Sequence, residues 1–201
     1  MTKVRYDRAD AVAIITMSDP GTLNAAGIDM VVELSAAFDR ACSEARAVVL
    51  TGEGKGFCSG ANLGSTSGAM GSPAAQGNDG GGFDAGAALD SHYNPFVSKL
   101  RTLPIPFVTA VNGAAAGVGC SFALLGDLIV AAEGAYFLQA FRRIGLVPDG
   151  GSTYLLPRMV GRARAMEMML LGDKVSAATA LQWGMINRCV PEAELMPTAL
   201  T

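Results

Sequence analysis

Apolar residues recur along this chain in two rhythms. Ala11 to Met17, Ala47 to Thr51, Phe107 to Val111 and Leu128 to Ala132 are short runs, too brief for helices, and read as buried strands. Between the first two, Ile28, Val31, Val32, Ala36, Phe38, Ala41 and Cys42 recur at intervals of roughly three and four, which predicts an amphipathic helix ending near Glu44. Gly161 to Leu170 predicts a helix stopped by Gly172. Ser176 is placed to cap another that runs to Trp183 and ends at Gly184, and Ile186 to Val190 is again strand-like. Alternation of this kind predicts an α/β class, and spacing alone allows either a spiral of β-β-α repeats or a doubly wound sheet.

Two segments depart from that rhythm. Ile105 to Gly126 carries no charge over 22 positions, long enough to span a bilayer. Pro106, Asn112 and the glycines at 113, 117, 119 and 126 divide it instead into a strand, a turn and a small-residue helix, as in a buried α/β core. Ser65 to Gly86 is built mostly of Gly, Ala and Ser, with too little apolar mass for a core of its own, and reads as a flexible insert.

Candidate chemistry sits on glycine turns. GFCSGANL (Gly56 to Leu63) follows one strand run, and NGAAAGVGC (Asn112 to Cys120) follows another. Each carries a strand into a turn that opens a helix or helical turn, leaving backbone N–H groups at Ala61 and Val118 free to point into a common cleft. Two converging donors make an oxyanion hole; tight turning alone is also sufficient reason for the glycines. The stretch RIGLVPDGGSTYLL, Arg143 to Leu156, places Asp149 between a proline and two glycines, after an apolar run that reads as strand-like. With Ile144, Leu146, Val147, Leu155 and Leu156 around it, that carboxylate is either a solvated turn residue or a base held in an apolar pocket.

Composition narrows the classes. The chain has 201 residues, 50% hydrophobic and 16% charged, enough for one substantial core and too apolar for disorder. A mean hydropathy of +0.33 suggests apolar surface covered by partner subunits. Net charge −3 and a pI near 5.1 offer no broad basic face for nucleic acid. Arg142, Arg143, Arg158, Arg162 and Arg164 form local basic clusters, suited either to ligand phosphates or to a solvated face. Cys42, Cys58, Cys120 and Cys189 make no CxxC pair and His92 is the sole histidine, so reduced thiols and no metal site are expected. MTKVRYDRAD lacks the apolar core of a signal peptide, and a cytoplasmic protein without membrane association is expected.

Taken in order, VAIITMSDPGTLNA, GFCSGANL, NGAAAGVGC, LVPDGG and VGRARAMEMMLLGDKVSAATALQWGMI resemble the crotonase, or enoyl-CoA hydratase/isomerase, family from about Val4 to about Val190. LLPR, VGRARAM and the insert Ser91 to Pro95 are most like its ring-epoxide phenylacetyl-CoA isomerase branch. The resemblance implies a crotonase-like spiral of β-β-α repeats over 1–190, with the insert at 65–86 beside the acyl pocket, where it is read either as a lid over the substrate or as a disordered loop without catalytic meaning. Residues 191–201, PEAELMPTALT, would be the start of a C-terminal helical region that is otherwise missing, leaving apolar surface uncovered. A homotrimer or hexamer is implied, as is an acyl-CoA thioester partner, with coenzyme A part of the substrate and no permanent cofactor.

Family roles then fall on numbered residues. The amides of Ala61 and Val118 would hold the thioester oxygen, aided by the dipole of the helix starting near Val118. Asn24, Ala25, Asn62, Leu63, Gly64 and Gly117 would contact the acyl-CoA, although Asn24 is also placed to cap the helix beginning near Ile28. Hydratases of the family use two glutamates; here their places fall on Ser121 and Phe141, neither a general acid or base. Asp149 stands where isomerase branches carry a single acid, and its apolar neighbours should raise its pKa toward neutrality. The implied activity is acyl-CoA isomerisation: a 3-enoyl to 2-enoyl shift or a ring-epoxide phenylacetyl-CoA rearrangement. The alternatives are an enoyl-CoA hydratase and a silent assembly subunit. A peptidase using Ser59, Ser121 and His92 is disfavoured by the lack of a G-x-S-x-G elbow.

Overall fold

The computed structural model describes residues 2–62 and 85–201. A six-stranded sheet takes the order β1 (Val4–Ala9), β2 (Val12–Met17), β3 (Ala47–Gly52), β5 (Phe107–Val111), β7 (Leu128–Ala132) and β10 (Arg188–Val190). Only the β1–β2 pairing is antiparallel; registers such as Ile15↔Leu50, Leu50↔Thr109 and Thr109↔Ile129 run parallel. Parallel strands that are largely buried read as near-continuous apolar runs, as β3, β5 and β7 do, with Thr51 and Thr109 as their polar exceptions. β1 is the edge that the sequence reading missed: its charged Arg5 and Asp7 alternate with half-buried Val4 and Tyr6.

Three of these strands each run into a short strand of a second sheet, ordered β4 (Gly56–Cys58), β6 (Ala114–Ala116), β8 (Tyr136–Leu138) and β9 (Val175–Ser176). The chain thus steps from sheet to sheet with each repeat, giving the expected spiral. Helix α1 (Ile28–Glu44) packs on the large sheet through Met30, Val31, Leu34, Phe38 and Ala41; of the stripe expected from sequence, Val31, Phe38 and Ala41 are buried, whereas Val32 and Ala36 face solvent. Phe38 meets Phe96 and Phe107 edge-on at 5.9 and 5.2 Å, and Phe96 meets Phe122 at 5.3 Å. Those contacts, each contributing about 0.5 to 1.5 kcal/mol beyond area burial, tie α1, α3 (Asn94–Arg101), β5 and α4 (Val118–Leu124) into one core. A short helix α2 (Ala85–Ala88) and a wider helical turn, Leu89–Tyr93, lead into α3. Gly119 lets α4 lie against β4, because a β-carbon there would run into the Cys58 carbonyl.

Ile105 to Gly126 holds the expected strand and helix, β5 and α4, but the turn expected between them contains a second short strand, β6; no described helix is long and apolar enough to cross a membrane. Elsewhere the structure corrects the reading. Helix α5 (Ser152–Leu171) begins nine residues before Gly161, which is instead an internal break at φ 77°. Gly172 ends it in the left-handed conformation. Helix α6 (Ala177–Gln182) is capped by Ser176, whose Oγ accepts from the Thr179 N–H. The C-terminal residues form α7 (Leu195–Ala199), which lays Leu195 and Ala199 on Val49, Ala110, Val130 and Ala132, so that part of the sheet's outer face is covered after all.

Candidate active site

The segment before Asp149 is not a strand. Ala140–Ile144 forms a tight 3-10 turn ended by Gly145 in the left-handed region, and no neighbouring strand pairs with it. That turn swings Phe141, Ile144 and Leu146 over a cavity of about 230 Å³, while Val147 faces solvent. Leu155 and Leu156 belong to the core. Opposite stand Ser59, Gly60 and Ala61 from the loop after β4, Gly117 and Val118 from the start of α4, and Leu89 and Tyr93 from the turn before α3. Asp149, Ala140 and Arg143 complete the lining. Residues separated by nearly ninety positions in sequence thus meet in one enclosure.

Both candidate donors are free. Ala26 N–H donates to the Gly60 carbonyl at 2.7 Å in a parallel bridge between Ala26 and Ala61, a geometry that turns the Ala61 N–H to the opposite side. Val118 is the first residue of α4, where an N–H has no intrahelical acceptor. Among the described residues neither amide has an acceptor. The Asp149 carboxyl is half-buried, and its Oδ1 is buried without a hydrogen-bond partner. Burial pushes its pKa up to about 6, because desolvation penalises the ionised form. Tyr93 is pushed up to about 12 by burial, with smaller contributions from Cys58 and then Asp149, so its hydroxyl stays neutral. The buried thiols Cys58 and Cys120 rise to about 11 and about 12 and are poor nucleophiles.

A family model described as enoyl-CoA hydratase/isomerase matches residues 7–201. The chain belongs to the enoyl-CoA hydratase/isomerase family. It is 44% identical over 191 residues to a probable enoyl-CoA hydratase of Rhodobacter capsulatus, a match covering 95% of this chain and 70% of that protein. It is 40% identical over 190 residues to the 1,2-epoxyphenylacetyl-CoA isomerase of Escherichia coli, covering 94% and 70%. A solved enoyl-CoA hydratase subunit from Geobacillus kaustophilus superposes with a TM-score of 0.85 at 31% identity, covering 98% of this chain and 72% of that one. The enoyl-CoA hydratase/isomerase family acts on CoA thioesters, which fits a cavity that presents amide donors and one acid against apolar walls.

The other candidate contacts of this family member divide. Gly117 lines the cavity, while Asn24, Ala25 and Asn62 do not. Asn24 caps no helix: the residue preceding α1 is Gly27. Asn24 is fully buried at φ 60°, its Nδ2 donating to the carbonyls of Glu53 (3.0 Å) and Gly56 (2.7 Å) and its Oδ1 accepting from the Asp19 N–H (2.8 Å). It holds the loops flanking the site together. Leu63, Gly64 and the insert through residue 84 lie outside the described residues.

Of the basic cluster only Arg143 lines the cavity. Arg142 and Arg143 donate to the carbonyls of Leu171 and Gly172 at the end of α5, and Arg158 and Arg164 lie over the Tyr154 and Trp183 rings. The peptidase trio does not assemble either, since His92 lines a separate surface groove and Ser59 Oγ donates to the Thr22 carbonyl. Sequence reasoning missed Tyr93 and Leu89 as cavity residues. Their one available signal was an aromatic beside the insert, in SHYNP.

Proposed function

We propose that this protein is an acyl-CoA isomerase working through a thioester enolate. The Ala61 and Val118 amides hold the thioester oxygen, and ionised Asp149 removes the proton alpha to the carbonyl. Negative charge moves to that oxygen, where two fixed donors stabilise it; losing one such donor typically costs about 3 to 4 kcal/mol in the barrier. Protonated Asp149 then returns the proton to the gamma carbon, leaving the double bond between the alpha and beta carbons. A group poised near pH 6 accepts and releases a proton with little penalty in either direction.

The observation that carries this reading is the partnerless, desolvated Asp149 carboxyl in the same cavity as two free amides. Hydration is disfavoured because Ser121 and Phe141 occupy the places of the two glutamates that would hold a water. A ring-derived acyl group is the substrate class we favour, supported by the Tyr93 and Phe141 rings in the lining and by the likeness to the isomerase from E. coli. Assembly as a homotrimer or hexamer belongs to the same proposal, motivated by exposed Val32, Leu128, Leu170 and Leu171.

Incubation with 3-enoyl-CoA and, separately, with 2-enoyl-CoA in deuterated solvent tests it. Expected are 2-enoyl product, deuterium at exchangeable carbons and no 3-hydroxyacyl-CoA. Accumulation of the 3-hydroxyacyl product would establish the hydratase reading instead, and no conversion with either the 3-enoyl or a ring-epoxide phenylacetyl thioester would leave the silent-subunit reading.

A further inference from the structure

Beneath the Asp149 turn lies a buried polar cluster that the proton transfer itself does not use. Ser121 on α4, Ser152 at the start of α5 and Gln139 after β8 are all fully buried. Ser121 Oγ lies 2.9 Å from the Asp149 carbonyl oxygen and 2.7 Å from Ser152 Oγ, and Gln139 Nε2 lies 3.1 Å from Ser152 Oγ. Proton counting fixes the direction. A serine hydroxyl donates once; Ser121 gives its proton to the Asp149 carbonyl, so Ser152 donates to Ser121 and accepts from Gln139. The Ser152 N–H, 3.1 Å away, is the second donor to that same carbonyl.

We infer that Ser121 is a positioning residue: the one-way chain Gln139 to Ser152 to Ser121 ends on the Asp149 carbonyl and clamps the Asp149–Gly151 turn onto α4, aiming the carboxyl into the cavity. The turn's other anchors are local backbone bonds, the Gly151 carbonyl accepting from the Tyr154 and Leu155 N–H groups at 3.0 and 2.9 Å. Gly150 and Gly151 both adopt left-handed backbone, at φ 60° and 85°. Gly150 packs so closely that an added β-carbon would stand 2.6 Å from Ser121 Cβ and 2.9 Å from its Oγ. The position that carries a glutamate in hydratases of the family thus serves here as the floor under a different acid. The charged and titratable side chains lining the cavity with Asp149 are Tyr93 and Arg143; neither touches the relay.

This inference rests on the isomerase reading for its kinetic consequence but not for its structural one, and the test separates them. Ser121→Ala, Gln139→Met and Asp149→Asn are compared with the parent in the 3-enoyl-CoA assay across pH, and the Asp149 carboxyl is titrated by carbon NMR. Ser121→Ala is expected to lower kcat roughly tenfold with KM within about twofold, as for a misplaced base. The acid limb and the NMR titration should both move about one unit lower as the loosened carboxyl meets water. Gln139→Met should shift both the same way by less, and carries the test should Ser121→Ala fail to fold. A merely structural role would lower Tm and leave the titration in place. If Asp149→Asn turns over normally, the base assignment falls, while a displaced titration in Ser121→Ala still upholds the relay. Parental kcat and titration in both relay variants beside an inactive Asp149→Asn would overturn the relay alone.

Discussion

Tyr93 Oη donates a 2.6 Å hydrogen bond to the carbonyl of Ala26, the residue bridged to Ala61. One buried hydroxyl therefore links the wall of the cavity to the isolated bridge that orients a candidate oxyanion donor. Because burial holds that hydroxyl neutral, it stays a donor throughout the working pH range. Tyr93→Phe keeps the ring and removes the bond, leaving a buried acceptor short of a partner at a cost of about 1 to 2 kcal/mol. We expect a lower Tm, kcat reduced up to about tenfold through a less well-aimed Ala61 amide, and KM little changed. Calorimetry and steady-state kinetics on the same preparation check it, and parental kcat would rule out the link to Ala61.

Asp149 should trade stability for chemistry. Its folded pKa, about 6, lies above the ordinary 3.8, so folding favours the protonated form. The associated stability is fully present below about pH 4 and is lost as pH rises through 6. Above that, the native state carries a buried charge whose cost, discounted for partial solvent contact, is about 1 to 2 kcal/mol. Asp149→Asn should therefore be more stable than the parent at pH 7.5 and indistinguishable near pH 4. The same substitution should cut isomerase turnover at least about a hundredfold. Parental turnover should fall below pH 6 as the base is protonated. Denaturant unfolding at the two pH values tests the sign, and equal stability at pH 7.5 would contradict a desolvated carboxylate.

Much of this arrangement could be read from local chemistry alone. β2, β3, β5 and β7 were legible because largely buried strands are near-continuously apolar, and α1 because one stripe of it must be. The amides of Ala61 and Val118 were legible because glycine turns leave N–H groups unpaired whatever side chain follows. What escaped depends on tertiary neighbours. The charges on β1 hid an edge strand, and Gly161 looked like a helix start because an internal break and a terminus share one residue type. Asn24 looked like a cap, whereas its partners, Glu53 and Gly56, come from a distant loop. Ile144 and Leu146 were taken for a strand because apolar residues facing a cavity and those facing a sheet look alike in sequence.

Gly150 is the backbone position on which the carboxyl's aim depends. Its left-handed φ and its contact with Ser121 each exclude a side chain. Gly150→Ala adds about 1 to 2 kcal/mol of backbone strain and a similar amount for overpacking, a total of roughly 2 to 4 kcal/mol. Since the turn holds the proposed base and not the substrate, kcat should fall well over tenfold while KM changes less. Thermal unfolding with kinetics at saturating thioester tests it; a small stability loss with unaltered kcat would show that the turn tolerates displacement.

Restoring the hydratase glutamates should not restore hydration. Ser121 sits fully buried, its Cβ already against Gly150, its Oγ committed to the Asp149 carbonyl. A glutamate there needs space that the Asp149–Gly151 turn fills and brings a charge into a fully buried position, a burial costing several kcal/mol. The single-acid and two-glutamate arrangements therefore exclude one another in this backbone. We expect Ser121→Glu, alone or with Phe141→Glu, to lose isomerisation, to be destabilised by several kcal/mol, and to form no 3-hydroxyacyl-CoA from 2-enoyl-CoA. Chromatographic assay for that product, with circular dichroism to verify folding, decides the matter. Hydration by a folded double variant would mean that the turn moves aside freely, and would remove the structural reason for a single-acid mechanism.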